Sequence, residues 1–231
     1  MRPITETGTK NENTLLLAYL AVELLLLIVG EATYEMSNGM PCTIARYGAI
    51  FLNAVIAGIW FIRYGRSNWK ERSNLLAYGL FVTVIADFFL TWLGTEAYYI
   101  PGFIFFCIVE IVYAMYLKTT WRGYLLRFNI YIIALILLVL SKQATVAYAI
   151  GLLNIVLVTT NAISAWTKHK RDVPLLFRIG IVLFFLCDIS IVISGATEGT
   201  FSLVVSYLTW AFYAPSQVLI TLSYVRSIRD S

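Results

Sequence analysis

"GLFVTVIADFFLTWLG", residues 79–94, is an almost unbroken apolar stretch with one ionisable side chain, Asp87, near its middle. A second stretch of the same kind, "GIVLFFLCDISIVISG", covers residues 180–195 and carries Asp188. Each stretch begins and ends with glycine and approaches the roughly 20 apolar residues that are needed to cross a bilayer. The two stretches raise the question of why a membrane-spanning segment would contain a carboxyl group.

The composition of the whole chain is typical of an integral membrane protein. Of its 231 residues, 60% are hydrophobic and only 13% are charged. Lipid offers the backbone no hydrogen-bond partners, so spans must be helices or a closed barrel, and continuously apolar runs exclude the alternating barrel pattern. A scan predicts eight spans, at 14–30, 44–62, 75–94, 99–117, 128–141, 145–166, 175–194 and 202–225. We therefore predict an all-α polytopic transmembrane bundle that forms a single domain, 1–231; the short fifth run leaves seven or nine spans open.

Basic residues are distributed unevenly between the predicted loops. Fifteen of the 17 lysines and arginines fall on one side of the membrane, the exceptions being Lys142 and Arg46, which lies just inside the second span. Because basic loops tend to stay in the cytoplasm, both termini are predicted to be cytoplasmic, with the cell membrane as the expected location. The net charge of +4 follows from this bias and does not indicate nucleic-acid binding.

One fixed offset relates the two halves of the chain. The two aspartates are 101 residues apart (188 − 87 = 101), and four further pairs share this offset. These pairs are Gly79 and Gly180, Gly94 and Gly195, Tyr47 and Tyr148, and Asn53 and Asn154. We predict two parallel pseudo-repeats of four spans, approximately 14–117 and 128–225, related by a pseudo-two-fold axis along the membrane normal. Chance similarity between apolar sequences is the alternative.

Polar side chains collect in one layer of the predicted bundle. Asp87 and Asp188 each lie seven residues inside an outer-end glycine, which is about 10 Å deep at ~1.5 Å per residue. Asn53, Asn154 and Glu23 reach a similar level. The pseudo-symmetry would therefore bring the aspartates and asparagines of both halves together.

A carboxyl group at this depth needs a reason. A charged side chain at mid-membrane costs about 2.5–3.5 kcal/mol even on insertion scales, so it should face the bundle interior or water. With Glu110, which lies somewhat deeper, four carboxyls occupy the spans without an obvious cationic partner. We predict that Asp87 and Asp188 are the two halves of one site. The alternative is that acids and amides hold the helices together by interhelical hydrogen bonds.

Motifs over roughly residues 75–225 follow a recognisable order. Asp87 is followed by Gly102, Phe106 and Tyr113 in "GFIFFCIVEIVY", by Gly180, Phe184 and Asp188 in "GIVLFFLCD", and by Tyr213, Gln217, Leu219 and Ile220 in "YAPSQVLI". In this order and spacing the chain resembles the YhhN-like family of membrane proteins, which includes the lysoplasmalogenases. Glu110 stands where that family usually has His, and Cys187 where it has Ser.

The resemblance implies hydrolysis of the vinyl ether bond of lysoplasmalogens, which releases a fatty aldehyde and a glycerophospho-base. Asp87 and Asp188 would be the catalytic pair. One carboxylic acid would donate a proton to the alkenyl carbon, and the ionised partner would stabilise the resulting cation or activate water. The expected partners are a lysophospholipid substrate and membrane lipids; no cofactor and no metal is expected.

Seven other side chains are predicted to contact the substrate. Asn53 and Asn154 would flank the aspartates, and Glu23 lies in the same layer. Glu110 and Tyr113 would line a deeper wall, whereas Tyr213 and Gln217 are candidates for contacts with the head group or glycerol.

Two other functions remain open on the sequence alone. A non-catalytic lipid-binding membrane protein is favoured by the missing family His. A transporter of a small molecule or lipid would also use parallel repeats and acids near the midplane.

Overall fold

Eight α-helices form the architecture of this computed structural model. It describes residues 6–34, 39–66, 70–142, 144–168 and 172–229, with the backbone alone described for 6–10. The helices are α1 (Glu6–Ala32), α2 (Met40–Trp60), α3 (Asn74–Asp87), α4 (Tyr99–Tyr116), α5 (Trp121–Leu140), α6 (Val146–Thr167), α7 (Leu175–Ala196) and α8 (Gly199–Arg229). No strand occurs in these ranges, and eight helical spans are long and apolar enough to cross a membrane. The prediction of an all-α, multi-pass membrane protein is confirmed.

Some predicted boundaries need correction. The fifth span, predicted at 128–141, is a full helix of 20 residues, Trp121–Leu140. Its start was misplaced because Arg122 and Arg127 interrupt the apolar run; the helix begins where the Thr120 side chain accepts a hydrogen bond from the Gly123 N–H, as helix caps do. Three of the bases used to predict orientation, Arg2, Lys170 and Arg171, lie outside the described residues, and the orientation stays a prediction.

Two helices change from α to π geometry before they end. Helix α2 continues as the π segment Phe61–Gly65, and α3 continues as the π segment Phe88–Leu93. A short 3₁₀ turn, Glu96–Tyr98, then leads into α4. Asp87 is thus the last α-helical residue before a π segment. Single π turns inside helices are frequent at functional sites.

The helices of the two halves pack in a similar order. In the first half α1 packs on α2, α2 on α3 and α3 on α4; in the second α5 packs on α6, α6 on α7 and α7 on α8. Between the halves, α2 packs on α8 and α6 packs on α4. If the two halves are exchanged, the α2–α8 pair becomes the α6–α4 pair. Helix α8 departs from this symmetry because it also packs on α1 and α3. The superposition of the halves by a rotation about the membrane normal stays a prediction.

Gly79 and Gly180 are matched positions at which neighbouring helices approach closely. A Cβ atom on Gly79 would overlap the ring of Tyr113 on α4. A Cβ atom on Gly180 would lie 3.0 Å from Cγ1 of Ile220 and 3.1 Å from the backbone oxygen of Ser216, both on α8. The absence of a side chain allows both close approaches. The glycines therefore hold the two aspartate-bearing helices, α3 and α7, tightly against the helix that follows each of them.

Candidate functional site

Asp87 on α3 is buried, and both of its carboxyl oxygens accept hydrogen bonds from hydroxyl groups. The Tyr213 hydroxyl on α8 donates a short hydrogen bond to Oδ2. The Thr91 hydroxyl, one turn along the π segment, donates to Oδ1 over 3.2 Å. Asp87 is only 3% exposed. The group is thus held as an acceptor between α3 and α8.

Asp188 on α7 is also buried but has a different environment. The side-chain amide of Asn154 on α6 donates to its Oδ2 over 2.8 Å. Its Oδ1 has no hydrogen-bond partner among the described residues. Of the flanking contacts predicted for the two asparagines, the one from Asn154 to Asp188 is present in the structure.

The two aspartates lie on either side of an aromatic contact. Phe184, one turn before Asp188 on α7, packs against the ring of Tyr213 with centroids 5.6 Å apart. Tyr213 in turn bonds Asp87. The structure therefore brings the aspartates of both halves into one region, while a shared cavity between them stays a prediction.

Asn53 belongs to a separate network that joins α1, α2 and α8. Its partners are Oε1 of Glu23 (2.8 Å), the Ala49 carbonyl (2.9 Å), the Tyr19 hydroxyl (2.7 Å) and the Thr221 hydroxyl (2.8 Å). These four bonds use both N–H groups and both acceptor positions of the amide. Asn53 therefore bonds Glu23 and not Asp87, and the substrate contacts of Asn53 and Glu23 stay predictions.

Glu110 on α4 is fully buried and is held by Asn161 on α6. The Asn161 amide donates to Oε2 of Glu110 over 2.6 Å and to its backbone oxygen over 2.8 Å. Tyr113, one turn further along α4, is also fully buried and packs on Phe177 with ring centroids 5.7 Å apart. Both residues lie in the protein interior, and their role as a cavity wall stays a prediction.

Gln217 lies one turn beyond Tyr213 on α8 and is 1% exposed. Its amide nitrogen makes a long bond of 3.4 Å to the hydroxyl oxygen of Ser216, and its amide oxygen is buried without a partner in the part of the chain that the structure describes. Because the Tyr213 hydroxyl is directed at Asp87, the two residues predicted to contact a head group differ in role. Tyr213 supports the aspartate, and Gln217 retains a free acceptor.

Arg46 on α2 packs near this region, and the sequence argument did not select it. Its guanidinium lies over the rings of Tyr34 and Trp210, 4.6 and 5.3 Å from their centroids. It forms an ion pair of 3.2 Å with Glu31 at the end of α1. The sequence offered one signal for this residue, because Arg46 is a base just inside the end of an apolar span. The loop charges place that end on the less basic side of the membrane.

The region has no cluster of metal ligands among the described residues, but an apolar groove lies near it. No group of three His, Cys, Asp or Glu side chains that could hold a metal ion occurs within the described ranges. An open apolar groove of about 280 Å³ runs between α2 and α3, lined by Phe51, Ala54, Val55, Phe81 and Val84. Val84 lies one turn before Asp87 on α3. The lining of this groove is apolar throughout and does not include Asp87 or Asp188.

The sequence matches the model of a known protein family. The sequence model of the YhhN family matches residues 48–224, which is more than half of the chain. The chain belongs to the YhhN family. The YhhN match begins in α2 and ends in α8, so it contains both aspartates and their partners Asn154 and Tyr213. Glu23 and Arg46 precede it. Comparisons with curated proteins and with solved structures gave no match.

Proposed function

We propose that this YhhN-family protein is a membrane-embedded hydrolase that cleaves the vinyl ether bond of lysoplasmalogens. The observation that carries the proposal is the pair of buried aspartates with unlike partners. Asp87 accepts from two hydroxyl groups, whereas Asp188 has one amide donor and one free oxygen. No lysine or arginine in the described ranges forms an ion pair with either group. Two carboxyls in different environments suit an acid and its ionised partner.

The hydrogen bonds indicate which aspartate takes which role. Both oxygens of Asp87 are occupied as acceptors by Tyr213 and Thr91, so Asp87 is arranged to remain an ionised stabiliser. Asp188 keeps its Oδ1 free, and this oxygen can carry a proton towards a substrate. In this assignment Asn154 is a positioning residue, because it fixes the carboxyl of Asp188 through Oδ2.

The reaction then follows from these roles. Asp188 transfers its proton to the β-carbon of the alkenyl chain, where the π electrons form the new C–H bond. The ether oxygen shares its lone pair with the adjacent carbon and yields an oxocarbenium-like cation beside the Asp87 carboxylate. Water adds to this carbon and returns a proton to Asp188. In the hemiacetal that results, the hydroxyl group loses its proton as the C=O bond forms, the C–O bond to the glycerol breaks, and the glycerol oxygen takes up a proton, which gives a fatty aldehyde and a glycerophospho-base.

The surroundings of the pair suit such a substrate. The apolar groove between α2 and α3 can take the hydrocarbon chain, and its Val84 lies one turn from Asp87. A buried reaction centre strengthens the attraction between the cation and a nearby carboxylate, because the local dielectric is low.

Product release by the purified protein tests the proposal. We expect detergent-solubilised protein to release fatty aldehyde from a 1-alkenyl lysophospholipid and to leave the matched 1-alkyl and 1-acyl lipids intact. In D₂O, with the aldehyde trapped at once by reduction, one deuterium should appear on the carbon next to the former aldehyde carbon. Binding without release would identify a lipid-binding protein, and proton- or ion-coupled uptake into vesicles without release would identify a transporter; either result would overturn the proposal.

A further inference from the structure

Two hydrogen-bond donors without acceptors lie next to each other where α1, α2 and α8 meet. Nε of Arg46 and Nε1 of Trp210 are both buried and have no partner among the described residues. A Cβ atom added to Gly30 would lie 3.4 Å from Cγ of Arg46 and 3.4 Å from Nε1 of Trp210. Both side chains therefore pack against the same glycine of α1. Buried donors without acceptors are costly and call for an explanation.

The positive charge and the N–H donors of Arg46 and Trp210 favour the binding of an anion. Arg46 contributes a guanidinium group, whose planar set of N–H donors matches the oxygens of phosphate. The indole of Trp210 can only donate. Glu31 occupies one side of Arg46 through a single contact of 3.2 Å, and the side chains of this pair are 16% and 24% exposed. The ion pair thus leaves Nε unused and is itself partly open.

The position of the two donors relative to the aspartates suits a phospholipid. Trp210 lies one turn before Tyr213 on α8, with ring centroids 5.6 Å apart, and Tyr213 bonds Asp87. In a lysophospholipid only the glycerol backbone separates the phosphate group from the ether oxygen at carbon 1.

We propose that Arg46 and Trp210 bind the phosphate of a lysophospholipid head group and so fix the position of its ether-linked chain relative to Asp87 and Asp188. This assignment rests on the proposed function for the identity of the lipid. Glu31 competes with the phosphate for Arg46 and is displaced from part of the guanidinium when lipid binds.

Binding of an uncleavable lipid tests the site without any need for catalysis. The probe is a 1-alkyl lysophosphatidylcholine, whose saturated ether has no alkenyl carbon to protonate, and its partner is the 1-alkylglycerol that lacks the phosphate. We expect the protein in detergent to bind the phospholipid more tightly than the alkylglycerol. Arg46→Gln should weaken phospholipid binding about tenfold or more, and Trp210→Phe a few-fold, since each removes a donor to a charged group. Neither should change binding of the alkylglycerol.

Two control variants distinguish loss of this site from the general effect of removing a buried indole N–H group or a basic residue. Trp60→Phe removes another buried indole N–H without a partner, in the core of α2. Lys142→Gln removes an exposed base that the loop charges place on the same side of the membrane as Arg46. Both variants should bind the phospholipid like the wild type. Arg46→Gln leaves Glu31 unpaired and could fold poorly for that reason. In that case phospholipid binding is measured with the double variant Arg46→Gln/Glu31→Gln and with the single variant Trp210→Phe.

The source of the phosphate is distinguished by competition. Inorganic phosphate should displace the phospholipid only at far higher concentrations than the lipid itself. Displacement at equal concentration, lost in Arg46→Gln, would assign the site to free phosphate and overturn the head-group assignment. Unchanged phospholipid affinity in both Arg46→Gln and Trp210→Phe, or equal losses for the alkylglycerol, would also overturn it. A protein that binds the phospholipid as expected but releases no aldehyde from the alkenyl lipid would refute only the proposed function.

Discussion

The side-chain amide of Asn154 on α6 donates a hydrogen bond of 2.8 Å to Oδ2 of Asp188 on α7. Asn53, which lies 101 residues earlier, does not repeat this contact with Asp87 and donates to Glu23 instead. Asp87 is bonded by the hydroxyls of Tyr213 and Thr91. Positions related by the offset of 101 thus have different partners, and in the proposed function this difference lets the two aspartates take different roles.

Substitution of Asn53 should mainly lower the stability of the protein, whereas substitution of Asn154 should mainly lower its turnover. Asn53→Ala leaves the buried Glu23, Tyr19 and Thr221 side chains without their shared partner, so we expect a loss of at least about 1–3 kcal/mol in unfolding free energy. Asn154→Ala should leave stability nearer to that of the wild type and lower turnover about 10- to 100-fold, because Asp188 loses its fixed position. Thermal unfolding in detergent and the rate of aldehyde release measure the two effects. Equal stability losses with equal turnover would contradict the separation of the two networks.

Tyr213→Phe tests the support of Asp87 by the phenol. The ring contacts with Phe184 and Trp210 are retained, and only the hydroxyl that bonds Asp87 is lost. A hydrogen bond to a charged group contributes about 1.5–3 kcal/mol, so kcat should fall about 10-fold or more. We expect KM to change little, since the ring stays in place. A raised KM with normal kcat would show instead that the hydroxyl contacts the substrate.

The apolar groove predicts chain-length selectivity. Ala54→Phe fills part of the groove between α2 and α3, where the Ala54 side chain forms part of the lining. We expect KM to rise for substrates with long alkenyl chains and to change little for short ones. Ile133→Phe, on the exposed face of α5, is the matched control. A uniform effect on all chain lengths would show that the hydrocarbon chain binds elsewhere.

The spans could be predicted from the sequence, and the aspartate pair stays a prediction that rests, like the spans, on simple physical limits. An apolar run of about 20 residues has no stable place outside a bilayer or a large core, and a carboxyl within such a run is costly unless it is enclosed. The shared offset of 101 then made Asp87 and Asp188 counterparts. Family membership and the eight helices are confirmed by the comparison and by the fold.

The partners of these groups could not be predicted, because they depend on the rotation of each helix. Asn53 and Asn154 have the same place in their spans, yet α1 and α8 approach Asn53 and supply Glu23, Tyr19 and Thr221. Similarly, Tyr213 comes from a helix 126 residues away in sequence from Asp87. Hydropathy does not encode such angular relations, and it also gives no sign of the π segment Phe88–Leu93.

The most direct test of the account is aldehyde release by Asp87→Asn and Asp188→Asn, compared with the wild type at equal amounts of folded protein. Asparagine keeps the shape of the side chain and removes a costly charge, so both variants should fold and still bind the 1-alkyl lysophospholipid. General acid–base catalysis is typically worth about 10²–10⁴-fold, and we expect each variant to lose at least that much turnover. The double variant should be little worse than either single one, because the two groups act as a unit. Full turnover in either variant would contradict the account and move the chemistry to another carboxyl, such as Glu110 or Glu23.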